Sequence, residues 1–151
     1  MKKILAILAI LVCVISLASC GGPKTAISAA TFKEKAEQAG FTVIDVTDQF
    51  TQGDIESAHV AMADGYQIEF YIVPTEQQAI TAYEQNKANI ESMKDSSSSY
   101  TDVNLSNYNK YTQTSAGRYG AVSRIDNTFI YVNADESYKS EISDFLKEIG
   151  Y

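Results

Sequence analysis

The chain of 151 residues contains one histidine, His59, so chemistry that needs an imidazole has a single place to occur. In the hairpin register derived below, His59 lies opposite Glu69, and an imidazole held by a carboxylate is the arrangement of a general base. An ordinary cross-strand polar pair accounts for the same two residues with less chemistry. No Gly-x-Ser-x-Gly, His-Glu-x-x-His, Walker-type or Gly-x-Gly-x-x-Gly pattern occurs, so no nucleophile elbow, zinc helix or phosphate loop is expected. Enzyme activity is not expected, although a hydrolase working with a pair of carboxylates leaves no such motif. Asp45, Asp48, Asp54 and Glu56 crowd the segment around Gly53. Hard oxygen ligands of this kind suit calcium, but their spacing is not that of an EF-hand loop. A plain acidic loop, with no metal and no cofactor, is the simpler reading.

Ten tyrosines and no tryptophan make the aromatic content unusual. Tyr100, Tyr108, Tyr111, Tyr119 and Tyr131 cluster in the second half near Arg118 and Arg124. Six of these residues, Tyr108, Tyr111, Arg118, Tyr119, Arg124 and Tyr131, form the candidate binding face. Tyrosine and arginine on an open sheet face could hold a peptide, a glycan or an envelope protein by stacking and hydrogen bonding. Good strand formers making cross-strand pairs and core contacts produce the same composition.

The elements that must carry these residues begin at an unusual N-terminus. Lys2 and Lys3 precede a 14-residue uncharged run, Ile4 to Leu17, which has the order of a secretory signal. A spanning helix needs about 20 apolar residues, so this run is too short to remain as one. Leu17-Ala18-Ser19-Cys20-Gly21 follows and resembles the lipobox of bacterial lipoproteins. The resemblance implies cleavage before Cys20, lipid on its thiol, and a chain held to the outer face of a bacterial cytoplasmic membrane. It also removes Cys13 with the signal and commits Cys20 to lipid, which leaves the mature domain without a disulfide, a free thiol or a His/Cys zinc cluster. In general character the chain resembles small lipoproteins of Gram-positive bacteria.

On this reading residues 1–19 are the signal, residues 20–30 the lipidated cysteine with a flexible tether, and residues 31–151 one globular domain. Losing Lys2 and Lys3 leaves ten basic residues against 19 acidic ones, so the formal charge moves from −7 to −9. Such a domain repels polyanions, which argues against nucleic acid as a partner. A monomer is expected. Ten tether residues reach at most about 35 Å, so the domain stays near the membrane.

Thr31-Phe32-Lys33-Glu34 has the pattern of a capping box and opens a short helix that Gly40 stops. Phe41 to Thr47 reads as a strand. Ser57 to Ala63 and Tyr66 to Val73 form a hairpin at Asp64-Gly65, for which a three-residue loop pairs Val60 with Ile68 and so aligns the apolar sets. Thr75 and Gln78 cap the longest helix, which carries Ala79, Tyr83, Asn86, Ile90 and Met93 to about Lys94. Asp95 to Asp102, with four consecutive serines, reads as a flexible connector. A strand at Asn107 to Thr114, a hairpin closed at Asp126-Asn127, and a helix striped by Tyr138, Ile142, Phe145 and Ile149 complete the chain.

The fold expected is therefore α+β: an antiparallel sheet of about six strands with three helices mainly on one face. Tyr71 to Glu76 and Tyr131 to Glu136 align at an offset of 60, which raises a tandem βββα duplication. The expected function is a non-catalytic binding or accessory module at the cell surface. A carboxylate-based cell-wall hydrolase and a small solute-binding lipoprotein are the alternatives.

Overall fold

A computed structural model describes residues 22–151; the signal segment and Cys20 lie outside the described residues. The chain forms α1 (Ala29–Gln38), β1 (Thr42–Asp45), β2 (Ser57–Ala63), β3 (Tyr66–Ile72), α2 (Glu76–Glu91), β4 (Ser99–Leu105), β5 (Tyr108–Ser115), β6 (Arg118–Ile125), β7 (Thr128–Asp135) and α3 (Lys139–Glu148). Short 3-10 turns follow β1 and β7. The strands make one seven-stranded antiparallel sheet in the order β1-β2-β3-β7-β6-β5-β4.

Helix starts follow local hydrogen bonding. The Thr75 hydroxyl accepts from the Gln78 amide at 3.2 Å, the N-cap expected of that sequence, and donates to the Gln78 side chain at 2.8 Å, so the hydroxyl makes both bonds. α1 starts one turn earlier than Thr31, because Ser28 caps it by accepting from the Thr31 amide at 3.1 Å. Gly40 and Gly150 follow α1 and α3 with φ of +92° and +90°, a conformation that ends a helix cheaply only at glycine.

The β2–β3 hairpin closes through a two-residue turn, Asp64-Gly65, and not the three-residue loop expected. Ala61 therefore faces Ile68, His59 faces Phe70, and Val60 faces Glu69. A one-residue slip exchanges the faces of a strand. Here it brings the small Ala61 beneath α1, whose Ala36 is likewise fully buried in the same core, and turns Val60 and Met62 to the opposite face.

The segment expected to be a connector holds a strand, the seventh. Asp95 accepts from the Ser97 amide at 2.9 Å and from the Ser97 and Ser98 hydroxyls, which makes a defined turn. β4 then pairs along its whole length with β5. Seven of its residues are exposed or only partly covered, so it is held by the ladder and by cross-strand side chains and needs no core former.

Two helices, α1 and α3, share one face of the sheet and α2 lies on the other. The larger core joins Phe32, stacked on Phe70 at 4.7 Å, to Phe145, Ile142 and Leu146. On the opposite face Tyr83 and Ile90 of α2 pack with Tyr111 and Val122, and Ala79 with Val73 and Phe129. The runs β1–β3 with α2 and β5–β7 with α3 do repeat the order of elements. Their helices nevertheless leave for opposite faces although β3 and β7 are antiparallel neighbours, an arrangement that no rotation of one unit onto the other produces. The aligned tyrosines Tyr71 and Tyr131 thus reflect similar strands and not a structural duplication.

The segment expected as a free tether is docked from Lys24 onward. The Lys24 amide donates to Asn107 Oδ1 at 3.2 Å, Asn107 Nδ2 returns a bond to the Lys24 carbonyl at 2.7 Å, and Lys24 Nζ donates to the Gly150 carbonyl at 2.6 Å. Ala26 and Ile27 pack on the larger core. Lys24 Nζ also sits 4.1 Å from the centre of the Tyr108 ring.

Candidate functional site

The six residues of the proposed Tyr/Arg face do not share a face. Side chains alternate along a strand, so Tyr108 and Tyr119 point toward α3, while Tyr111, Arg118, Arg124 and Tyr131 point toward α2. Tyr108, Tyr111, Tyr119 and Arg124 are buried and Tyr131 half-buried, leaving Arg118 exposed. Arg118 clamps the Asn133 side chain and carbonyl, with bonds of 2.9 Å to each.

Arg124, only 2% exposed, is a structural hub. Its Nε donates to Asn109 Oδ1 at 2.6 Å, and its Nη1 donates to the Asp126 carbonyl and to Glu76 Oε1, each at 2.9 Å. The guanidinium ties the first turn of α2 to β5 and to the β6–β7 turn, a use of its fork of fixed donors.

His59 is buried beside Phe70 and does not meet Glu69. Its Nδ1 lies 3.1 Å from the Ser57 hydroxyl, and its Nε2 lies 3.8 Å from Asp45 of the neighbouring strand. Asp45 is committed to Thr47, accepting from its hydroxyl at 2.6 Å and its amide at 2.9 Å. These bonds hold the Asp45 carboxyl below the ordinary carboxylate range. Among the described residues no three His, Cys, Asp or Glu side chains converge as metal ligands, the Asp45–Glu56 group included.

What the fold does assemble is a groove of about 390 Å³ on the α1/α3 face, over the end of the sheet that those helices leave bare. β4 contributes Ser99 and Thr101, which pair with Thr114 and Thr112 of β5. Lys110, two residues before Thr112, carries the row onward, and Val103 of β4 faces it. α3 closes the opposite side with Lys139 and Ser143. Tyr119 forms part of the floor, its hydroxyl 3.2 Å from the Ser143 hydroxyl and its ring 5.9 Å from Lys139 Nζ.

Among the described residues no Asp or Glu side chain lines this groove. Glu136 and Asp144 instead line a separate shallow hollow that shares Lys139 and Ser143. Lys110 Nζ donates to the main-chain oxygen of Tyr151 at 3.0 Å. Burial, with Lys24 nearby, holds its ammonium below the usual lysine range. Thr114 Oγ1 is buried without a hydrogen-bond partner. The groove thus combines two cations and a wall of hydroxyls in a domain whose net charge is strongly negative.

Grouping residues by aromatic type concealed this site. The signal that marks it is the alternation Lys110, Thr112, Thr114, polar at every second position of a strand whose other positions, Tyr111 and Gln113, are buried. Ser99 and Thr101 carried no such signal, because their strand exists only through its pairing.

A second groove, of about 430 Å³, lies on the α2 face over β2 and β3, between Met62, Gln67, Glu69 and Tyr131. Glu69 there is already engaged, accepting from Gln67 at 2.8 Å and from the Tyr71 hydroxyl at 2.7 Å.

No protein-family model matches the chain, and no curated protein does. Among solved structures the chain is similar to a GTP binding regulator from Thermotoga maritima, at 16% identity and a TM-score of 0.49 over 84% of this chain and 87% of the other. A likeness of that size carries no argument about function.

Proposed function

We propose that this chain is an exported lipoprotein, held by lipid on Cys20 to the outer face of a bacterial cytoplasmic membrane, whose domain is a non-catalytic binding module of the cell envelope. The observation that carries the reading is the order of the N-terminal sequence: two lysines, 14 uncharged residues, then Leu-Ala-Ser-Cys-Gly. A two-chain lipid is the minimum for stable attachment, and a modified Cys20 supplies both chains.

The docked segment sharpens the consequence. Lys24, whose backbone is fastened to Asn107, lies only four residue steps beyond Cys20, so the slack is about 14 Å, well under the roughly 35 Å that a free ten-residue tether would span. The domain then works close to the lipid surface, with the β4–β5 turn and the end of α3 on the membrane side, while the groove runs from Lys110 away from them, toward the β5–β6 turn and the start of α3. The groove's hydroxyls and lysines support binding. They offer no pair of carboxylates of the kind a retaining or inverting glycosidase requires.

The test is fractionation of cells expressing Cys20→Ala, with fatty-acid labelling of the parent. Loss of label and release of the variant from the membrane are expected; a variant that stays firmly attached overturns the assignment.

A further inference from the structure

We infer that the groove between β4, β5 and α3 binds a small polyhydroxylated ligand carrying one anionic group, a carboxylate or a phosphate. The inference rests on the binding-module reading and names the ligand class of that module.

Charge is the first argument. The sequence carries 19 acidic residues, yet among the described residues the groove is lined by Lys110 and Lys139 and by no Asp or Glu side chain. None of the five ion pairs among the described residues involves either lysine. Lys110 Nζ donates to the main-chain oxygen of Tyr151. A mono-anion seated between the two lysines would gain charge-assisted hydrogen bonds, about twice as strong as neutral ones.

The second argument is the wall. Ser99, Thr101, Thr112 and Thr114 present hydroxyls from two adjacent strands, and each hydroxyl both donates and accepts. A bare anion has no use for acceptors, and a cation would meet the two lysines. A ligand whose own hydroxyls donate and accept in turn, such as an acidic sugar or a polyol phosphate, matches such a surface. The groove lies within the size range of small-molecule sites, roughly 300–1,000 Å³.

The third argument is selectivity against polymers. The surrounding negative charge repels long polyanions, and α3 with Lys139 closes one side. A single anionic unit, or the end of a chain, enters where an extended polyanion does not.

The experiment uses the mature chain from residue 20, made without its leader and carrying Cys20→Ser, so that its outcome does not depend on lipidation. Amide chemical shifts are followed while glucuronate, glycerol 1-phosphate, glucose or inorganic phosphate is added. Glucuronate or glycerol 1-phosphate is expected to shift Thr101, Thr112 and Tyr119, and to bind at least fivefold more tightly than glucose and inorganic phosphate. The exposed substitution Lys139→Gln should weaken that binding at least fivefold with the melting temperature unchanged, and Thr101→Val should weaken it independently. The glucuronate and phosphate arms separate the two sources of negative charge. The inference is overturned if neither anionic polyol binds more tightly than the controls, or if both substitutions leave binding as it was.

Discussion

Replacing Arg124 by methionine removes three hydrogen bonds shorter than 3 Å while keeping most of the side-chain volume, and the structure sets the cost. Asn109 Oδ1 loses its 2.6 Å bond and the Asp126 carbonyl its 2.9 Å bond. Asn109 is itself buried. A buried acceptor left without a donor costs about 1–3 kcal/mol, so Asn109 Oδ1 and the part-buried Asp126 carbonyl together give at most about 2–6 kcal/mol. The ion pair to Glu76 adds little, because the Glu76 side chain is 52% exposed and such pairs contribute about 0–1 kcal/mol. The 3.5 Å contact to the Ser106 carbonyl is too long to matter. For a domain of this size each kcal/mol moves the midpoint by roughly 3–4 °C, so Arg124→Met should melt about 6–24 °C below the parent. Circular dichroism melts and urea titrations of the soluble mature chain measure this directly. Glu76→Gln in parallel should cost under about 1 kcal/mol. If Arg124→Met melts within 2 °C of the parent, or if Glu76→Gln costs as much as Arg124→Met, the buried-donor reasoning is wrong.

Gly120 lies on β6 beneath α2, where an added Cβ would meet Ile90 Cγ2 at 2.8 Å and Cγ1 at 3.0 Å. Gly120→Ala should therefore destabilise by about 1–3 kcal/mol, and the double variant with Ile90→Ala should cost less than the sum of the two single changes, as read from urea midpoints. Alkaline pH should unfold the domain through its tyrosines. Burial pushes the Tyr151 hydroxyl up to about 12 and raises Tyr108 and Tyr119 as well. Because the unfolded chain ionises first, near pH 10, this stability is complete below that pH and is lost as pH rises toward 12. Urea midpoints should be flat from pH 7 to 9 in this respect and fall between pH 10 and 11.5, less steeply in Tyr151→Phe; a midpoint constant to pH 11.5 would contradict the burial of these rings.

Much of the local structure was legible because its causes are local. The Thr75–Gln78 cap, the stops at Gly40 and Gly150, and the stripe Ile142, Phe145 and Ile149 depend on neighbours within a few residues, and each stands where the sequence puts it. Strand positions were legible for the same reason, from β-branched and aromatic runs between turn residues. The antiparallel α+β class followed from these elements, with seven strands in place of about six.

What tertiary structure alone decided is which side of each strand faces which layer. Alternation divides β2 into Ala58, Val60 and Met62 against His59 and Ala61, and both sets are credible cores. Packing of α1 over Ala61 chose between them, and with that choice His59 left Glu69 for Ser57 and Asp45. The same parity separated Tyr108 and Tyr119 from Tyr111 and Tyr131, and it drew Arg124 into the interior as a tie between α2 and the sheet. β4 was invisible for a different reason: an edge strand is stabilised by the ladder of its neighbour, and Ser99 and Thr101 have no buried contact to announce it. The groove inherits both limits, since it needs the parity of β5, the existence of β4 and the placement of α3. The sequence by itself determined every element but β4, the negative charge and the N-terminal order that resembles a lipobox. The faces, the edge and the groove exist only because distant segments meet, through contacts that local pattern does not encode.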